Sequence, residues 1–68
     1  MAGTWKKIEL VGTSTESFAD AVRNGVKDAA KTIRKIGWFE VVEQRGAVKD
    51  GKVLEFQVTI AVGFKVET

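Results

Sequence analysis

The chain has 68 residues, a net charge of +2 and an isoelectric point near 9.2. It contains no cysteine, histidine or tyrosine. Disulfides and the common zinc sites are therefore excluded, and the most frequent general base, the best thiol nucleophile and a frequent acid are missing. Enzymes are disfavoured, and the mild basicity suits an anionic ligand without by itself arguing for nucleic acid.

One domain over residues 1–68 is expected. A chain of this size buries only about 60% of the surface its unfolded form exposes. Without disulfides or a metal, association with further copies is the remaining source of stability. No apolar run approaches the roughly 18 residues of a membrane-spanning helix. The opening "MAGTWKKIEL" lacks an apolar core followed by a cleavage site, so a cytoplasmic protein without a membrane partner is expected.

Residues 4–12, "TWKKIELVG", read as a strand, because Ile8 and Leu10 alternate with Lys7 and Glu9. Thr13 with Glu16, or Ser14 alone, offers a helix N-cap. From Glu16 to Ile36 the spacing is helical, with Phe18, Val22, Val26 or Ala29, Ile33 and Ile36 on one stripe. Acidic residues near its start and basic residues near its end suit the helix dipole. Gly37 fits the left-handed position that commonly ends a helix. Such a helix would be roughly 30 Å long.

Two strands follow, 38–48 and 52–65. Asp50-Gly51 between them is the pair preferred in a two-residue type I′ turn. That turn sets Lys49 opposite Lys52, and by extension Val41 opposite Ile60, Phe39 opposite Val62 and Trp38 opposite Gly63. One face then carries Phe39, Val41, Leu54, Phe56, Val58, Ile60, Val62 and Phe64 for the helix to cover, with Glu43 and Arg45 beyond the helix end. The other carries Trp38, Glu40, Val42, Gln44, Glu55, Gln57, Thr59, Ala61 and Gly63. The fold class is α+β: a β-α-β-β protomer with a three-stranded antiparallel sheet curled around one long helix. Strands of about 12 residues run roughly 40 Å, so the helix leaves sheet uncovered for neighbouring copies.

Trp38 reads either as an ordinary packing residue or as a stacking platform on the polar face, with room left by Gly63. Gln57 reads as a solvated strand glutamine or as a paired donor and acceptor for the edge of a flat heterocycle. Arg45 and Lys65 are either surface ion-pair partners or cations for a phosphate. Lys27, Lys31, Arg34 and Lys35 read as a solvated face, and Trp5 as a seal on one edge of an assembly.

The series "KKIELVGTS", a helix, "WFEV", "RG" and "EFQVTIAVGFKVE" resembles the dodecins across residues 5 to 67. The resemblance implies a non-catalytic flavin-binding protein assembled as a hollow homododecamer, with flavins bound in pairs between subunits. It implies that Trp38 stacks on the isoalloxazine and that Gln57 bonds its pyrimidine edge. It places Arg45 near phosphate-bearing ligands, and Lys65 where close relatives can carry an arginine. FMN is the ligand implied for a bacterial member with "RG", riboflavin is a second candidate, and some members bind coenzyme A. A stacked indole can donate an electron to photoexcited flavin and take it back, which suits flavin storage and photoprotection. The alternatives are a single-stranded nucleic-acid platform, disfavoured by its lone tryptophan, a ligand-free structural oligomer, and a flavoenzyme with a substrate cavity beside the flavin.

Overall fold

The computed structural model describes residues 3–67. In chain order the elements are β1 (Trp5–Ser14), α1 (Phe18–Ala29), β2 (Ile36–Lys49) and β3 (Lys52–Lys65). The strands form one antiparallel sheet in the order β1-β3-β2. β3 is central, and its residues Val58, Ile60 and Val62 are fully buried. No helix is long and apolar enough to cross a membrane.

The helix is shorter than its apolar spacing predicts. Ser17, in extended backbone, is the N-cap, and its hydroxyl accepts from the Asp20 amide at 3.0 Å. Ser14 serves the preceding turn instead: its Oγ accepts from the Glu16 amide at 2.8 Å and donates to Asp20 Oδ2 at 2.7 Å. At the other end, the Lys31 and Thr32 amides bond back three residues, to Asp28 and Ala29. Such bonds tighten and close a helix. The 12 residues give about 18 Å of helix at 1.5 Å each. Lys35, not Gly37, takes the left-handed conformation, with φ of 62°. This turn lets Ile33 and Ile36 fold back onto the core.

The helix packs chiefly on β1 and β3. Its innermost residues are the small ones: Ala21, Gly25 and Ala29 are buried, while Val22 and Val26 flank them. The approach is closest where Gly25 meets Gly12 of β1. A Cβ on Gly12 would collide with the Ala21 carbonyl and stand 3.1 Å from Gly25 Cα. Two facing glycines thus let backbone rest on backbone, and Ile60 fills the space beneath.

The hairpin turn forms as expected, with positive φ at Asp50 (52°) and Gly51 (74°). Trp38, Phe39 and Val41 stand opposite Gly63, Val62 and Ile60 as the turn predicts. Between them the register departs from a straight count. It shifts between Ala47 and Val48, and shifts back between Val41 and Glu43. Leu54 and Val42 are the unpaired extra residues, and the two bulges cancel.

The segment between the bulges is therefore turned over. Glu43 stands opposite Thr59 and Arg45 opposite Gln57, while Gln44 stands opposite Val58. Glu43 and Arg45 belong to the face away from the helix, correcting the expectation that they share the packing face. A side chain in a strand changes faces with each one-residue slip.

The protomer measures 51 × 20 × 14 Å. Its hairpin projects well beyond the helix, and Phe39, Val41, Val48, Val53 and Leu54 are each 46–67% exposed.

Candidate functional site

The face away from the helix carries all four residues singled out for ligand binding. They fall into two groups. At one end, Trp38 of β2 stands opposite Gly63 of β3, and Lys65 lies two residues further along β3, opposite Trp5 of β1. Toward the hairpin, Arg45 stands opposite Gln57. Gly63 and Gln57 are six residues apart on one strand, which is roughly 20 Å at 3.3 Å per residue. No three-ring heterocycle seated on Trp38 reaches the Gln57 of the same chain.

At the aromatic end, the Trp38 indole lies over Gly63. A Cβ built there would fall among ring atoms Cε2, Cζ2 and Cδ2. The space left by the glycine is filled by the protein's own indole, not reserved for a ligand. Trp38 is nonetheless 37% exposed, and with ring atoms packed against Gly63 that exposure falls on the rest of the residue. Trp38 therefore offers one stacking surface, backed by the central strand.

Next to it is Trp5, whose ring centroid is 6.0 Å from that of Trp38 at an interplanar angle of 39°. Beside both, Lys7 Nζ donates to Glu40 Oε1 at 2.7 Å across the sheet. The hydrogen bond to Glu40, with its charge, holds the Lys7 ammonium above the usual lysine range. This cross-sheet pair was not legible in the sequence, since its partners lie 33 residues apart.

At the polar end, Arg45 Nη2 donates to Thr59 Oγ1 at 2.7 Å and lies 3.3 Å from Glu43 Oε1. Thr59 is buried, so the guanidinium is anchored to the central strand rather than free on the surface. Gln57 Nε2 donates to Glu55 Oε1 at 2.9 Å. Its carbonyl oxygen remains an available acceptor, and rotation of the side chain would free the amide donors. The sequence reading passed over Thr59 because a threonine in a strand is usually just a strand former. Its role depends on the bulge that turns Arg45 toward it.

Among the described residues there is no cluster of three or more His, Cys, Asp or Glu able to hold a metal. The geometry thus defines a small β-α-β-β protein with a one-sided aromatic platform and an anchored arginine beside a glutamine.

Comparison with known proteins agrees. The sequence profile of the Dodecin family matches residues 4–67. The chain is 45% identical over 67 residues to the dodecin of Thermus thermophilus, covering 98% of this chain and 97% of that protein. Among solved structures, dodecin from Streptomyces coelicolor superposes with a TM-score of 0.92 at 45% identity, covering 96% of this chain and 93% of that one. Dodecin from Streptomyces davaonensis gives 0.91 at 43% identity, covering 96% of each chain. The chain belongs to the dodecin family. It is a non-catalytic flavin-binding protein that stores FMN and protects against its photochemistry.

Proposed function

We propose that Trp38 is the stacking surface for the isoalloxazine, and that Gln57 of a neighbouring copy bonds the pyrimidine edge. The observation that carries this reading is the indole of Trp38 seated on Gly63 while the residue stays 37% exposed. A ring stacked there excludes water and stands in van der Waals contact with an electron-rich indole. With flavin bound, Trp38 would serve as electron donor to the photoexcited ring and would take the electron back. No bond is made or broken, so the flavin leaves unchanged.

The rest of the site is completed by assembly. The roughly 20 Å between Trp38 and Gln57 of one chain supports a pocket shared between copies. So does the apolar surface of the projecting hairpin, which in a lone chain faces water. A two-fold mate of Trp38 would close the far side and enclose a pair of flavins. The homododecamer of related proteins is the assembly we assign to this chain. Arg45 and Lys65 are the cations for the FMN phosphate, with Arg45 the better oriented of the two. Riboflavin would keep the stacking and edge contacts and lose the ionic one. Coenzyme A remains a secondary ligand whose support is the family resemblance alone. A cytoplasmic location completes the reading.

The test is a fluorescence titration of FMN with the flavin-free protein, run with light scattering on a size-exclusion column. Joint quenching of flavin and tryptophan, saturating near one FMN per chain on a dodecamer, is expected. Trp38→Ala should abolish most binding and leave any residual bound flavin fluorescent. Parent-like binding and quenching by that variant would remove Trp38 from the site.

A further inference from the structure

We propose that Trp5 is a positioning residue for the flavin platform: its indole is a side wall that holds the Trp38 ring flat on Gly63. The inference rests on Trp38 being the stacking surface. Trp5 belongs to β1 and Trp38 to β2, the two edge strands, separated by β3. The Trp5 side chain nevertheless spans β3 and lands on β2. Its destination is Gly37, where a Cβ would stand 2.6 Å from Trp5 Cζ3. Only the missing side chain at residue 37 lets the ring settle there.

The result is an arrangement of two indoles and two glycines. Trp38 lies on Gly63, Trp5 lies on Gly37, and the rings meet at 6.0 Å with a 39° tilt. The tilt matters. A parallel stack would cover the outer face of Trp38, whereas a tilted neighbour abuts its flank and leaves that face open. Trp38 needs such a stop. It sits on an edge strand, directly after an irregularity in the β2 register at Gly37. A platform already held in place loses less side-chain freedom when a ligand stacks on it, and that saving appears as affinity. Gly37 accordingly has a purpose in the strand other than ending the helix.

The contact is checked in the flavin-free protein by circular dichroism. Two indoles this close and inclined give an exciton couplet, which Trp5→Phe and Trp5→Leu should both remove. Binding is then compared for the two variants with FMN and riboflavin as probes. Trp5→Leu keeps apolar bulk but no ring. It should weaken both ligands alike, by about tenfold for a loss of the order of one ordered side chain. Trp5→Phe, with a flat ring, should recover most of that loss. Gly37→Ala displaces the Trp5 ring without altering either indole and should reproduce the Trp5→Leu loss. Combined with Trp5→Leu it should cost nothing further, because both act through one contact.

If Trp5→Leu and Trp5→Phe bind riboflavin equally, Trp5 only fills space and the proposal fails. Additive losses from Gly37→Ala and Trp5→Leu would overturn it as well. Failure of the underlying stacking reading is seen separately, as unchanged binding and quenching in Trp38→Ala while Trp5 is intact.

Discussion

Arg45 faces Gln57 across the β2–β3 pair, and its guanidinium is bonded to Thr59 on the same central strand. The contact exists because two bulges, at Val42 and Leu54, turn five residues of β2 over and then restore the original register. Without them Arg45 would point to the helix side. Arg45→Ala should weaken FMN binding by about tenfold, which corresponds to about 1.4 kcal/mol, and leave riboflavin nearly unchanged. Arg45→Lys should recover only part of this, since an ammonium lacks the planar fork. Parallel titrations with the two flavins measure both effects, and equal losses for FMN and riboflavin would show that Arg45 shapes the pocket rather than binding phosphate.

Lys65 is tested the same way. It is an exposed lysine, eight residues along β3 from Gln57, the residue opposite Arg45. Lys65→Ala should reduce FMN affinity by less than Arg45→Ala, a few-fold at most, because an exposed flexible ammonium gains little from pairing. Raising salt should shrink the difference between Lys65→Ala and the parent.

Gly63→Ala should act on the platform. The added Cβ occupies the volume of the Trp38 ring, so the indole must lift from the sheet. Flavin affinity should fall by at least about tenfold, or about 1.4 kcal/mol, for FMN and riboflavin alike. Flavin titration measures this, with light scattering to confirm that assembly is retained.

Gly12→Ala should act on stability instead. Its Cβ would meet the Ala21 carbonyl and force α1 away from β1. Overpacking of this kind costs roughly 1–3 kcal/mol, visible as a lower midpoint in denaturant. Gly12 and Gly25 lie on the helix side, so flavin affinity of the assembled fraction should stay close to that of the parent.

The Lys7–Glu40 pair gives an alkaline signature. The folded-state value of Lys7 lies above its ordinary one, through the hydrogen bond from its ammonium to Glu40 and the charge of that carboxylate. A raised lysine contributes stability that is fully present below its unfolded value and is lost as pH rises through the folded value. The contribution is therefore fully present and constant at neutral pH, and it is lost only as pH rises above about 10.4. Lys7 should titrate at a lower pH in Glu40→Gln than in the parent when its side-chain NMR signals are followed.

Much of the architecture is local and could be read along the chain. Strand alternation placed β1 and β3 within two residues of their observed bounds, and Asp50-Gly51 predicted the turn. The pairing of Trp38 with Gly63 follows from that turn because the two bulges between them cancel. The helix was overread because Ile33 and Ile36 continue the apolar spacing. They reach the core from a turn and from the start of β2, not from the helix. Apolar spacing reports which residues are buried, and several backbone paths can bury the same set.

By itself, then, the sequence determined the element order, the hairpin turn and the residues of the central strand. Periodicity and turn stereochemistry act over a few residues, so they are written in neighbours. Tertiary structure alone decided the face of Arg45, the seating of Trp38 on Gly63 and the reach of Trp5 to Gly37. Each depends on backbone brought together from different strands, where a bulge or a missing Cβ changes which side chain fits, and no short-range pattern records that fit.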